Sequence, residues 1–376
     1  MSDDIRMALI GAGFIGKSHA LAIGAVNRVF ANCPRRAIPF VLAEADEARA
    51  REAARALGFQ HATDSWERAV DMADAVVIAV PSGLHRAVAE RAIAQRKPVL
   101  CEKPVGLSSE EAGALAHAAA AAGIVNAVGF TYLRAPLVQE AKRLLESGRL
   151  GRPVHFTGRH CEDYLADATA PHGWRLSVAT AGRCGALGDL GCHVISIARF
   201  LCGPIAALTG IARIVHRERP SGGTMRAVEN EDYAGALLRF AGGTIGMLET
   251  SRIAHGRKMD LSFELTCERG TLRFEGERFN ELKLYVDGED AASSGFRTIL
   301  ANPRHPGFGA FLPAAGHGLS FNDLKTIEMD LFLRGIASGR NVAPDLLEAA
   351  RIGRVCEAIL DSAASGRWIE NPEGGS

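Results

Sequence analysis

Three short stretches of this chain carry residue types, at spacings, that can bind a nucleotide or move a proton. Gly11-Ala12-Gly13-Phe14-Ile15-Gly16 has the GxGxxG spacing of a loop that receives a pyrophosphate. Gly11 permits the tight turn, Gly13 lets the backbone approach the phosphates, and Gly16 lets the following helix pack closely on the strand. Phe14 and Ile15 open that helix, whose N-terminal N–H groups and positive dipole end favour anions. Glu102-Lys103-Pro104 places an ammonium group where a later strand runs out. Ligands of open parallel sheets lie beyond the carboxyl ends of the strands, so Lys103 can point at what the glycine loop holds. In Gly185-Ala186-Leu187-Gly188-Asp189-Leu190-Gly191-Cys192-His193, Asp189 and His193 stand four apart and share one face of a helix. An imidazole that titrates near neutral pH can take a proton from a hydroxyl. Taken alone, such a pair is more often a solvated surface pair than a catalytic one.

The elements that must position these residues follow from the apolar pattern. Short apolar runs alternate with helical stretches over the first 130 residues, the pattern of a doubly wound parallel sheet. Ile5–Ile10, Phe40–Ala43, Asp74–Val80, Pro98–Cys101 and Val125–Gly129 read as strands, with alanine-rich helices between them. Ser108 followed by Glu111 reads as a capping box before the last of these helices. The second strand ends in Glu44-Ala45-Asp46, and a carboxylate there can accept both ribose hydroxyls of a bound dinucleotide while repelling a 2′-phosphate. Asp46 is the choice, because it shares a face with Glu44 by strand alternation and lies nearer the strand's end. NAD is therefore favoured, although the basic Cys33-Pro34-Arg35-Arg36 loop leaves NADP open. Pro81 and His85 follow the buried strand and would line the nicotinamide side of the cofactor with Glu102 and Lys103. For His85, a helix-start residue facing solvent is an equal reading.

Beyond residue 150 the texture changes. Asp232–Phe240 and Thr244–Ser251 flank Ala241-Gly242-Gly243 as a hairpin, and Leu261–Leu265 and Leu282–Val286 alternate with period two. These are marks of a large, mainly antiparallel sheet. Asn302–Gly318 reads as a long loop, and helices near Asp323–Ser338 and Asp345–Ser365 close the chain. The expected division is a nucleotide domain over 1–130 and a substrate and oligomerisation domain over 131–376, with the closing helices packing back toward the first.

The balance of 43 basic and 43 acidic residues, without a block of either sign, gives no footprint for nucleic acid or an anionic membrane. No apolar run approaches the roughly 20 residues of a spanning helix, and the N-terminus enters a strand without room for a signal peptide. Eight cysteines without a CxxC pair read as reduced thiols of a cytoplasmic protein. The histidines lack ligand-like spacing, so no metal site is expected.

With the glycine loop, Val80-Pro81 with His85, Glu102-Lys103-Pro104, and Asp189 with His193 together, the chain resembles the glucose–fructose oxidoreductase / inositol dehydrogenase (Gfo/Idh/MocA) family over nearly its whole length. The resemblance implies an NAD-dependent oxidation of an alcohol by hydride transfer, with His193 as general base. It implies that Lys103 bonds the reacting hydroxyl and relays its proton, that Asp189 orients the hydroxyl or ring, and that the Lys103–Pro104 bond is cis. Two departures stand out: Ser196 replaces a frequent aspartate after the histidine, and Thr131 replaces an asparagine-like residue, leaving Tyr132 as a pocket candidate.

The implied substrate is a cyclitol or rigid pyranose such as inositol, levoglucosan or L-glucose, oxidised to a keto product. Candidates to hold it are Arg159, Asp163, Trp174, Arg175 and His317; an aromatic platform beside a forked donor suits a polyhydroxylated ring. Arg134, Glu162, Tyr164, His172 and His305 are further candidates. The resemblance also implies pairing into dimers or tetramers. Two rivals share the fold: an NAD-dependent glycosidase and a non-catalytic sugar sensor.

Overall fold

The computed structural model describes residues 3–288, 290 and 292–374. The ends of the expected domains, Met1-Ser2 and Gly375-Ser376, lie outside the described residues. The chain divides into two compact units, Met1–Arg134 with Leu319–Ala350, and Ala135–Gly318 with Arg351–Ser376. The Phe321–Ser338 helix and the start of the Leu346–Ser365 helix thus belong to the first unit rather than to the second.

The first unit alternates β1 (Asp4–Ile10), α1 (Phe14–Val29), β2 (Arg36–Ala43), α2 (Glu47–Leu57), β3 (His61–Thr63), α3 (Trp66–Met72), β4 (Ala75–Ile78), α4 (His85–Ala94), β5 (Val99–Cys101), α5 (Ser109–Ala122) and β6 (Asn126–Val128). The strands form one sheet in the order β3-β2-β1-β4-β5-β6, parallel throughout. Strand order reverses between β1 and β4, which puts the glycine loop at the switch point of the sheet. Met7–Ile10, Val76–Ile78 and Val99–Cys101 are buried on both faces, as continuous apolar strands under helices must be. Ser65 and Ser108 cap α3 and α5 by accepting the backbone N–H of Arg68 and Glu111. Glu111 does not close the expected box on Ser108; its carboxylate accepts the N–H of Leu107 instead.

The second unit holds α6 (Pro136–Glu146), β7 (Pro153–Cys161), a short α7 (Val178–Ala181), α8 (Cys192–Cys202), β8 (Ile205–Arg213), β9 (Glu218–Ser221), β10 (Thr224–Ala227), β11 (Tyr233–Phe240), β12 (Ile245–Ser251), β13 (Asp260–Cys267), β14 (Gly270–Glu275), β15 (Glu281–Val286), β16 (Arg297–Leu300) and β17 (Ile369–Glu370). Nine strands make one sheet in the order β16-β15-β14-β13-β7-β12-β11-β8-β17, while β9 and β10 pair separately. Every neighbouring pair in the large sheet is antiparallel except β7 with β12. The hairpin of β11 and β12 turns at Gly243, whose φ of +87° favours glycine. Helix α8 lies directly on β7: a Cβ on Gly158 would stand 2.6 Å from the Val194 side chain. Ile211, Leu237, Ile245 and Met247, on β8, β11 and β12, are exposed apolar residues of the same sheet. Among the described residues no helix is long and apolar enough to cross a membrane, and no cysteine is in a disulfide.

Candidate functional site

The glycine loop has the geometry its sequence predicts. Gly11 adopts φ +93° and donates its N–H to Ala43 O at 2.9 Å, and a Cβ there would sit 2.7 Å from Ala79 O. A Cβ on Gly16 would fall 2.0 Å from Gly11 O, so helix α1 can start this close to the turn only with glycine. At Gly13 nothing lies within 4 Å of a Cβ, and no side chain caps the first turn of α1. The loop therefore offers an open approach to uncapped N–H groups, the donor set a pyrophosphate fits. Phe14 is 85% exposed at this edge and stacks on Phe321, their ring centroids 6.3 Å apart. Ile15 follows it in the first turn of α1.

The acidic residue beside the loop is Glu44. Its Oε1 accepts the Ala12 N–H at 2.6 Å. Asp46 instead caps α2, accepting the N–H of Arg49 at 3.0 Å. Because β2 ends at Ala43, strand alternation does not reach residues 44–46 and does not set which of the two carboxylates faces the loop.

Lys103-Pro104 is a cis peptide. The turn is held from both sides by buried groups. His85, 1% exposed, places Nδ1 2.9 Å from Pro104 O and Nε2 2.7 Å from Val80 O. Burial pushes its pKa below the usual imidazole value despite the two carbonyls. A solvent-facing His85 does not fit this arrangement, since the side chain is buried and both nitrogens are engaged with backbone. His85 joins the turn after Pro81 to the turn after Lys103.

Glu102, 4% exposed, is likewise directed inward. One oxygen accepts from His19 Nε2 at 2.8 Å and from Lys325 Nζ, and the other accepts the Lys103 N–H at 3.3 Å. Lys325 also donates to Glu328 at 2.9 Å. Burial opposes ionisation of Glu102, but Lys325 and His19 outweigh it and hold the carboxyl well below its ordinary range. The same bargain holds Lys325 above its usual value: burial lowers it, and Glu102 and Glu328 raise it further. Atoms of His19, Glu102 and Glu328 gather within 4.8 Å of one another, a spacing that suits a metal, yet the cation bonded to both carboxylates is the Lys325 ammonium.

In the second unit Asp189 and His193 do not lie on one regular helix. Leu187–Gly191 is a π-turn, and the Cys192 N–H reaches back to Leu187 O before α8 continues with His193. Such single-turn widenings in helices are frequent at functional sites. One Asp189 oxygen accepts the Tyr164 hydroxyl at 2.7 Å and the Arg175 Nε at 3.1 Å. The Arg175 guanidinium lies 4.4 Å from the centroid of the Trp174 ring, a cation–π contact. Burial and the Asp189 charge push Tyr164 well above its ordinary pKa, so it stands as a neutral donor to Asp189. His193 is buried, and its ring centroid lies 5.5 Å from that of His160. His160 Nδ1 is 3.0 Å from Leu190 O, and its Nε2 is 3.3 Å from Glu162.

Trp174, Arg175, Asp189 and His193 thus belong to one neighbourhood, and several other predicted residues have partners of their own. Arg159 pairs with Asp260 at 2.7 Å, while the next residue on β7, His160, faces His193. Side chains alternate along a strand, so Arg159 and His160 point to opposite faces of β7. Asp163 is bonded to Lys258 at 2.7 Å and to the Gly256 N–H, and its neighbour Tyr164 is the one that reaches Asp189. His317 is exposed in its loop, and His305 is buried with Nδ1 accepting the Asn302 N–H. In the first unit Tyr132 packs beside Phe321, with centroids 5.9 Å apart, and the buried Arg134 donates to Ala343 O. Cys101 and Cys192 are buried thiols, the first pushed far up by burial and the second donating to Gly188 O.

Asn230-Glu231-Asp232, which the motifs gave no reason to single out, ties this neighbourhood together. The two Glu231 oxygens accept the N–H groups of Gly185 and Leu187, each at 2.8 Å, at the entrance to the π-turn. A Cβ on Gly185 would stand 2.3 Å from Glu231 O, so that glycine is what lets the segment before β11 meet the turn. Asn230 donates to Arg175 O at 2.9 Å, and Asp232 accepts from the buried Arg252 at 2.9 Å. Burial pushes Glu231 above the ordinary carboxylate value, against the two N–H groups that favour its charge.

Comparison with known proteins adds an independent line. Residues 5–130 match the family described as oxidoreductases with an NAD-binding Rossmann fold, and residues 138–273 match the GFO/IDH/MocA C-terminal domain. The levoglucosan dehydrogenase of Pseudarthrobacter phenanthrenivorans is 36% identical across 98% of this chain and 99% of its own. The inositol 2-dehydrogenase of Rhizobium meliloti is 27% identical across 97% and 98%. A solved levoglucosan dehydrogenase in complex with NADH and levoglucosan superposes with a TM-score of 0.96 at 35% identity, over 99% of this chain and 100% of that one.

Proposed function

This chain belongs to the Gfo/Idh/MocA oxidoreductases and is an NAD-dependent sugar or polyol dehydrogenase, and from that premise we propose that it oxidises a secondary ring hydroxyl of a pyranose or cyclitol to the ketone. Levoglucosan, inositol and L-glucose exemplify the substrate class. The observation that carries the reading is the assembly around Asp189. An aspartate held by Tyr164 and Arg175, on the same short segment as buried His193, pairs a fixed hydrogen-bond acceptor with a proton acceptor.

In this reading the uncapped first turn of α1, with Gly11, Gly13 and Gly16, holds the pyrophosphate, and Glu44 takes the ribose role first given to Asp46. When bound, NAD accepts the hydride that leaves the alcohol carbon. His193 removes the hydroxyl proton, Lys103 donates a hydrogen bond to the oxygen as negative charge grows on it, and Asp189 orients the ring. Trp174 and Arg175 supply an aromatic face and a forked donor for further hydroxyls. The first unit serves the cofactor and the second the substrate. The exposed apolar residues on β8, β11 and β12 support pairing of copies into dimers or tetramers, since a contiguous apolar face is an association surface. Eight thiols without a disulfide among the described residues support a reducing, cytoplasmic setting.

The test is a panel of levoglucosan, inositols and aldopyranoses with NAD and with NADP, followed by NADH absorbance. Stoichiometric NADH with a keto product is expected; release of sugar from a glycoside without net NADH would assign the glycosidase reading instead. Lys103→Ala should lower kcat on the best substrate by roughly 1,000-fold, the scale of losing a preorganised donor to a developing oxyanion. Turnover undiminished by that change would remove Lys103 from the chemistry.

A further inference from the structure

The Phe321–Ser338 helix sends one charged residue into the interior of the first unit at the point where the reactive turn begins. The Lys325 side chain has no solvent exposure, and its ammonium bonds the carboxylates of Glu102 and Glu328, whose side chains are 5% and 1% exposed. Such a buried triad is a weak source of stability, because well-packed apolar residues of the same volume serve as well or better. It does fix geometry. Glu102 lies against bare backbone: a Cβ on Gly129 would stand 2.5 Å from its Oε1. Its carboxylate is thereby caught between Gly129, Lys325 and His19, and its other oxygen takes the Lys103 N–H. His85 holds the far side of the same turn through Pro104 O. The turn carrying Lys103 is therefore anchored at both ends, and at the Glu102 end the anchoring cation comes from a helix 223 residues away in sequence.

We propose that Lys325 is a positioning residue for the alcohol oxidation: by pairing with Glu102 it fixes the carboxylate that holds the Lys103 backbone, and so sets where the Lys103 ammonium meets the substrate hydroxyl. Lys325 touches neither substrate nor cofactor in this role. The proposal rests on the reading of Lys103 given above, and the two fail differently. If Lys103→Ala keeps turnover, the reading of Lys103 fails; if Lys103→Ala loses turnover while Lys325→Met keeps it, only the present inference fails.

The experiment uses the full chain with NAD and levoglucosan, or the best alcohol of the panel, and expresses rates per NADH-binding site titrated by protein fluorescence. Lys325→Met should lower kcat by about 100-fold with little change in KM, the scale expected when a reacting group is misplaced by about an ångström. The isotope effect on kcat with substrate deuterated at its ring carbons should rise, because a misplaced donor slows the chemical step itself. A merely structural lesion would reduce the number of NADH-binding sites and leave rate per site and isotope effect as they were; that result overturns the proposal. Where Lys325→Met leaves too little folded protein, Glu102→Gln/Lys325→Met removes both charges together. A low kcat with a raised isotope effect in that variant supports the proposal, and recovery to the rate of the parent overturns it, since Lys325 would then only neutralise Glu102.

Discussion

Two buried glutamates hold the lysine turn and the π-turn, and they do so by opposite means. Glu102 is held chiefly by a cation: the Lys325 ammonium, with the His19 ring beside it, keeps its carboxyl well below the ordinary range in spite of burial. Glu231 is held by peptide N–H groups, those of Gly185 and Leu187, and burial keeps its carboxyl above the ordinary range in spite of them. Backbone dipoles orient a carboxylate without neutralising it, whereas an ammonium does both. The lysine turn is thus fixed by charge and the π-turn by hydrogen bonds.

The sharpest way to break this contrast is to truncate each glutamate. Glu102→Ala leaves Lys325 paired with Glu328 alone and removes the acceptor of His19, and should cost about 3–5 kcal/mol, the scale of breaking a buried ion pair by removing one partner. Glu231→Ala leaves two backbone N–H groups without their acceptor and should cost less, about 2–3 kcal/mol. Urea unfolding of both variants measures the difference; an equal or reversed order would mean that Glu102 is not held chiefly by charge.

Acid should separate them next, through slopes of opposite sign. A lowered folded pKa makes Glu102 contribute stability above its ordinary value near 4.5, and that contribution is lost as pH falls below it. A raised folded pKa makes Glu231 contribute fully below 4.5, and that contribution is lost as pH rises through the raised folded value. Thermal midpoints at several pH values should therefore show Glu102→Gln flattening the acid-side loss of the parent. Glu231→Gln should gain relative to the parent as pH rises from 4 toward neutrality. Parallel midpoint curves for the two variants would contradict the opposite assignments.

The smallest expected effect is at the edge of the second segment. Tyr164→Phe removes one donor to Asp189 while Arg175 remains, so kcat/KM should fall about fivefold with an unchanged melting temperature. A fall a hundred times larger would place the Tyr164 hydroxyl on the substrate itself.

What could be read from the sequence was what sits close along the chain. The glycine loop, the lysine turn and the parallel strands announce themselves through local spacing, and the structure places them accordingly. Lys325 and Glu231 act on segments 223 and 44–46 residues away, and no local spacing connects them with their partners. Facing is harder to read than spacing. Arg159 and His160 differ by one step of phase along one strand, and the alternation that favours Asp46 over Glu44 stops at Ala43. Chemistry was easier to name than the face on which it would appear.

The π-turn at Leu187–Gly191 carries a consequence for any shorter version of this segment. Excising a single residue between Asp189 and His193, Gly191 for instance, would let an ordinary α-helix run through. The tighter helix would cover the path from Asp189 to His193 in fewer residues and would reset the angle between their side chains. Length here works as a dial on angle, and a deletion that improves the helix would misalign the two groups it carries.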